Sequence, residues 1–196
     1  MTFAVIAGSL VVLGVWLTSL YNRLVILRNR VKNGFAQIDV QLKRRYDLIP
    51  NLVEATKAYM TYEKETLTKV IEARNNAFTA RNAAAENTTS AAAIGALGAA
   101  ENQLSNLLTR FMALTESYPD LKGNENVKTL MEELCSSENK VSFSRQAFND
   151  AVTAYNSEVE SFPVNVVAGP LGFTPSALLE STKSEIEREV PKVSFS

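Results

Sequence analysis

Residues 21–51 read YNRLVILRNRVKNGFAQIDVQLKRRYDLIPN, and the spacing of their apolar side chains decides the fold. Leu24, Val31 and Ile38 recur every seven residues, and Phe35, Leu42 and Ile49 form a second row one step round. Two such rows merge into one broad apolar stripe, as expected of a helix packed in a bundle. The stretch predicts a helix ending near Arg45. Asp47 then caps a second helix that holds Pro50 in its first turn, where a missing N–H has no intrahelical acceptor to lose. The alternative is one long helix kinked at Pro50.

Upstream of this stretch, Thr2 to Asn22 contains no charged side chain. Phe3, Val5, Ile6, Leu10, Val11, Val12, Leu13, Val15, Trp16, Leu17 and Leu20 leave it no polar face. About 18 residues at 1.5 Å rise span about 27 Å, close to the hydrocarbon thickness of a bilayer. Residues 1–22 are therefore expected to form a transmembrane helix. A cleaved signal peptide is the competing reading. It wants a basic start and a small-x-small cleavage site, whereas bulky Trp16, Leu17 and Leu20 crowd the end of this run. Arg23, Arg28, Arg30 and Lys32 follow the span. The positive-inside rule then puts the chain after Leu20 in the cytoplasm, with a short N-terminus outside the cell (inner) membrane. Lys43, Arg44 and Arg45 lie about 35 Å from Leu20 along a straight helix. That is several times the Debye length of about 8 Å, so they are expected to line a helix end or a partner surface.

Downstream, Leu52, Thr56, Tyr59, Met60, Leu67, Val70, Ile71 and Phe78 fit the second helix, with Glu63, Lys64, Glu65, Lys69, Glu72 and Arg74 on its wet side. It should fade near Ala85 into a loop at Glu86 to Ser90, with Ser90 able to cap a third helix. Leu97, Leu104, Phe111 and Tyr118 repeat in sevens along that helix, which Pro119 should end. Asn124 can cap a fourth helix running to about Ser161, on which Leu134, Val141, Phe148, Tyr155 and Phe162 repeat in sevens. Glu138 and Arg145 fall near its apolar side and are expected to be partly covered and paired. Phe111 and Phe148 are expected to be buried between helices. Phe162 to Pro175 mixes apolar residues with three prolines and two glycines, so it is no regular helix yet too apolar for a free linker. A helical turn is expected at Ser176 to Ser184 and an extended tail over Val190 to Ser196.

The chemistry that is missing narrows the function. Lys and Arg number 20 against 21 Asp and Glu, a net charge of −1, which leaves no footprint for nucleic acid. The chain has no histidine, the commonest general base and metal ligand. A di-iron carboxylate bundle needs Glu-x-x-His pairs and is excluded on that ground. No phosphate-cradling Gly-x-x-x-x-Gly-Lys loop, nucleophile elbow or Cys-x-x-Cys pair occurs. Glu132 and Glu133 are neighbours on a helix and point apart. Cys135, the single cysteine, is read as a small helix residue. No catalytic residue, metal, cofactor or small-molecule substrate is expected.

Four stretches carry a family resemblance. They are Tyr21-Asn22 with Leu24-Val25 and Arg28-Asn29; Phe35 to Val53; Tyr118-Pro119-Asp120-Leu121-Lys122 with Asn124-Glu125-Asn126; and Tyr155-Asn156 with Phe162-Pro163, Gly169 and Gly172-Phe173. On these the chain resembles the LemA family over almost its whole length after the span. The resemblance implies a single N-terminal span, a cytoplasmic helical up-and-down bundle and no assigned reaction. Phe148 departs from the family's frequent Tyr, and Tyr62 from its frequent His.

The expected fold is all-α, with one N-terminal transmembrane helix followed by an up-and-down antiparallel four-helix bundle of long helices. The expected units are the span at 1–22, the cytoplasmic bundle at 23–161, and an irregular apolar segment with tail at 162–196. The expected function is a membrane-anchored scaffold or protein-interaction module, in contact with the lipid bilayer and with protein partners, copies of itself among them. The alternative is an adaptor or regulator of a membrane-associated enzyme such as a protease. Lys43, Arg44, Arg45, Phe162, Leu171 and Phe173 are the candidate interaction surface.

Overall fold

The apolar rows of residues 24–49 are buried as their spacing requires. Leu24, Val31, Phe35, Ile38, Leu42 and Ile49 all lie in the core of the computed structural model, which describes residues 1–180. The described residues are all-helical, without a strand. They form α1 (Thr2–Lys57), α2 (Lys64–Glu86), α3 (Ala91–Thr115), α4 (Pro119–Lys122), α5 (Glu125–Glu160) and α6 (Val164–Ala168). α1 packs most extensively on α5, α2 on α3, and α1 on α2.

Cross-helix pairs give the directions. Arg23 meets Glu158 and Arg44 meets Glu133, so α1 and α5 run antiparallel. Asp39 meets Arg81 and the Tyr46 carbonyl meets Arg74, so α1 and α2 do as well. At Gly34 the backbones of α1 and α5 come close. A Cβ there would lie 3.2 Å from Phe148 Cα, nearer than two packed backbones comfortably allow. The Ser90 and Asn124 side chains accept backbone N–H bonds at the starts of α3 and α5, as caps do.

The first helix does not end near Arg45. It is one helix of 56 residues with Pro50 inside it, and Asp47 is an exposed mid-helix residue that caps nothing. Pro50 has no N–H to give the Tyr46 carbonyl four residues earlier, which ordinarily breaks a helix. Here Arg74 of α2 supplies the missing donor, its Nε lying 3.0 Å from the Tyr46 carbonyl oxygen. A side chain read as part of the wet face of α2 thus completes the ladder of α1. We expect Arg74→Met to cost about 1–3 kcal/mol, the penalty of an orphaned buried acceptor. In a Pro50→Ala background, where the backbone N–H returns, that cost should shrink. Equal costs of Arg74→Met in both backgrounds, measured by urea unfolding, would refute the exchange.

The chain reverses instead at Ala58–Glu63. Met60 is buried there as a plug, and its N–H and that of Tyr59 both bond to the Thr56 carbonyl. Leu52 and Thr56 therefore belong to α1 and not to a second helix. At the same end of the bundle, α3 stops at Thr115 rather than at Pro119, which instead opens the one-turn α4. Tyr118 and Asn124 from that connection reach Glu63 and Tyr59 of the first reversal, tying the two turns together.

Candidate functional site

Two places in the fold concentrate features beyond packing. The first lies midway along the helices. Arg45 of α1, expected at the surface, is wholly buried, with 0% of its side chain exposed against 2% for its partner Glu101 of α3. Its guanidinium also bonds to Glu138 of α5, whose other oxygen accepts the Ser105 hydroxyl at 3.0 Å. The Tyr46 hydroxyl donates to the second oxygen of Glu101. Three helices are thereby pinned in register by charge-assisted bonds. Half-buried Arg145 lies near Glu101 and Glu138 with its Nε unpartnered, so of the two residues expected to be covered and paired, Glu138 is paired and Arg145 is covered only. Burial opposes the charge on Arg45, but Glu101 and Glu138 outweigh it and hold its pKa above the ordinary value. For Arg145 burial wins, and its pKa falls. Glu101 and Arg45 are enclosed, while the Glu138 side chain is 41% exposed and forms the solvent edge of the cluster.

Tyr46 gives it a pH signature. Burial, and then the adjacent Glu101 carboxylate, push its phenol well above the ordinary tyrosine range. The unfolded chain's Tyr46 ionises near pH 10, while the folded one stays neutral. The stability held by the neutral phenol is therefore complete below about pH 10 and lost as pH rises beyond it. Tyr46→Phe should remove part of the alkaline fall in the urea midpoint. An unchanged slope between about pH 9 and 11 would contradict this.

The second place is the end of the molecule where α1 leaves its apolar run. Arg23 pairs with Glu158 at 2.8 Å, so the last turn of α5 lies level with the first charged turn of α1. α6 and the chain after it close this end. Val164, Ala168 and Phe173 are buried, and Phe173 stacks edge-on against Tyr21 at 5.5 Å with the Arg28 guanidinium 4.8 Å over its ring. Phe173 was among the candidate interaction residues. It is buried because α1 and the loop after α6 close over it. Phe162 and Leu171 do remain exposed, as do Lys43, Arg44, Arg30 and Lys32.

From Phe173 to Glu180 the chain is an irregular strap, not the helical turn expected from Ser176; residues 181–184 and the predicted tail at 190–196 lie outside the described residues. Two asparagines of α5 hold the strap, each through both ends of its amide. Asn156 donates to the Ser176 carbonyl at 2.8 Å and accepts the Ser176 N–H at 2.8 Å. Asn149 does the same for Leu179, at 3.2 and 2.9 Å. Seven helical residues rise about 10.5 Å, and three extended residues cover about 10 Å. The two spacings match, which lets one strap meet both amides. Gly98 of α3 leaves room for it, since a Cβ there would lie 3.3 Å from the Glu180 carbonyl oxygen. Sequence reasoning missed these asparagines. Their seven-residue spacing beside Phe148 and Tyr155 was the available signal.

Residues 2–19 of α1 stay uncovered apart from a partly covered Leu17, and α1 is the one described helix long and apolar enough to cross a membrane. The profile of the LemA family matches residues 34–195, from the buried turn at Gly34 through the strap and beyond. The chain belongs to the LemA family. Within the curated relatives of this LemA-family chain, magnetosome protein MamQ 2 of Paramagnetospirillum magneticum is 26% identical over 168 residues, covering 78% of this chain and 62% of its own length. Magnetosome protein MamQ of Magnetospirillum gryphiswaldense is 25% identical with the same coverage. Protein LemA of Metamycoplasma hominis is 25% identical over 167 residues, 85% of this chain and 71% of its own. The chain thus spans less than two thirds of the MamQ proteins it is similar to.

Proposed function

We propose that this LemA-family chain is a membrane-anchored helical scaffold at the cytoplasmic face of the cell (inner) membrane, without a reaction of its own. One observation carries the reading. The uncovered apolar part of α1 continues without a break into the residues of α1 that pack on α5 and α2, so anchor and domain share one helix. α1 beyond Tyr21, α2, α3 and α5 then stand on the membrane as an up-and-down four-helix bundle. Arg23, Arg28, Arg30 and Lys32 favour its cytoplasmic placement, because basic residues beside a span are retained on that side. Lys43 and Arg44 on the flank of α1 are exposed and available to protein partners, a second copy of the chain included. The names of the relatives above are not those of enzymes.

Fractionation tests the anchor. The intact chain should stay with membranes through salt and alkaline washes; a soluble, shortened chain beginning near Tyr21 would overturn it. A reporter fused after Ser196 should behave as cytoplasmic, and alkaline phosphatase activity at that fusion would reverse the orientation. Size exclusion in detergent then separates the uses of the bundle. Self-association supports the scaffold, whereas stoichiometric co-purification of a different protein moves the reading to an adaptor of that protein.

A further inference from the structure

We infer that Phe162, Val166 and Leu171 form a second lipid contact beside the span, seated in the interfacial layer of the bilayer that α1 crosses. This rests on the anchoring read above and adds a surface to it. The first argument is level. Arg23 pairs with Glu158, and the helices run antiparallel, so the turn after Glu160 comes abreast of the last residues of the apolar run. The second is cover. Exposure falls from 67% at Val15 to 38% at Trp16 and 7% at Leu20, so the folded part begins to wrap α1 before the apolar run ends. A domain that starts there cannot stand clear of the headgroups.

The third argument is composition. Ser161 to Leu179 carries no charged side chain, like Thr2 to Asn22, and the two uncharged segments touch where Phe173 packs on Tyr21. Val164, Ala168, Phe173 and Leu179 turn inward and close the fold, and Val167 is half-buried. Phe162, at 84% exposure, Val166 and Leu171 turn outward around α6, and Leu178 is exposed farther along the strap. The inward set already does the work of closing the end. The outward set has no protein partner, yet sits at the depth where amphipathic segments bury an apolar face between headgroups and acyl chains. Arg23, exposed one turn past Leu20 and paired with Glu158, lies at the level suited to lipid phosphates. Phe143, exposed and halfway along α5, lies out of reach of the bilayer.

The test uses the full chain with Cys135→Ser, reconstituted in phosphatidylethanolamine–phosphatidylglycerol vesicles. Phe162→Cys, Val166→Cys and Leu171→Cys each carry an environment-sensitive dye. Phe143→Cys is the water-exposed control and Val11→Cys the reference within the span. Nitroxide-labelled lipids quench from the headgroup or from deep in the acyl chain. We expect blue-shifted emission and a clear loss of signal with headgroup nitroxide at 162, 166 and 171, neither at 143, and quenching by the deep label at 11. Water-like, unquenched emission at all three with Val11→Cys still quenched overturns the second contact and leaves the anchor standing. Blue-shifted emission that no lipid label quenches also overturns it, in favour of protein cover. If Val11→Cys is unquenched as well, the anchoring reading fails and this inference with it. Three independent positions, each checked for helix content by circular dichroism, keep the test decisive if Phe162→Cys fails to fold.

Discussion

Replacing Arg45 with Met should destabilise the fold by about 3–5 kcal/mol, because it strands a carboxylate in the core. Glu101 is the group left behind. It is buried on α3, and its oxygens answer to Arg45 and Tyr46 of α1. Removing the cation leaves one hydroxyl donor for a buried negative charge. The pair itself is a weaker source of stability than this number suggests, since bringing two ions out of water offsets most of their attraction. A double replacement, Arg45→Met with Glu101→Leu, should therefore recover much of the loss, and a double-mutant cycle in urea isolates the coupling. A cost for Arg45→Met within about 0.5 kcal/mol, the usual surface value, would show that Arg45 faces solvent after all.

Phe148→Ala and Phe111→Ala should each cost about 3–5 kcal/mol through lost burial and a residual cavity. Both rings are fully buried. Phe148 meets Phe35 edge-on with ring centres 6.0 Å apart, and its backbone lies against Gly34. A cavity there opens the seam between α1 and α5, the most extensive in the molecule. Phe143, one turn and a half earlier on α5 and largely exposed, is the internal control. Phe143→Ala should fall within about 0.5 kcal/mol. If the two α5 phenylalanines respond alike, the heptad phase is wrong.

What could be read from the sequence, and what could not, follows the range of the interactions. The apolar run, the seven-residue rows, the loop at Glu86 to Ser90 and the caps Ser90 and Asn124 are local patterns and were legible. Pro50 was misread because local rules end a helix there. The donor that rescues it, Arg74, is 28 residues from the Tyr46 carbonyl it caps and arrives only when α2 packs on α1. Arg45 looked like part of a solvated Lys43-Arg44-Arg45 run for the same reason. Its burial depends on Glu101 and Glu138, from two other helices. The reversal at Ala58–Glu63 has neither proline nor glycine to mark it. At the end where α1 leaves its apolar run, composition showed that the segment after Ser161 must cover something. It could not say which of Phe162, Leu171 and Phe173 would turn inward, because that depends on Tyr21 and Arg28 of the first helix.

The central claim is that one unbroken α1 crosses the bilayer and then serves as the first helix of the folded domain. A spin-label accessibility scan along α1, from Val5 to Lys57 in the Cys135→Ser chain in vesicles, tests it most directly. Lipid-only accessibility is expected from Val5 to Val15. Helix-periodic alternation of buried and water-exposed positions should follow from Leu20 and pass through Arg45 to Pro50 without interruption. Water accessibility over Val5 to Val15, or a break in the period between Arg45 and Pro50, would contradict it.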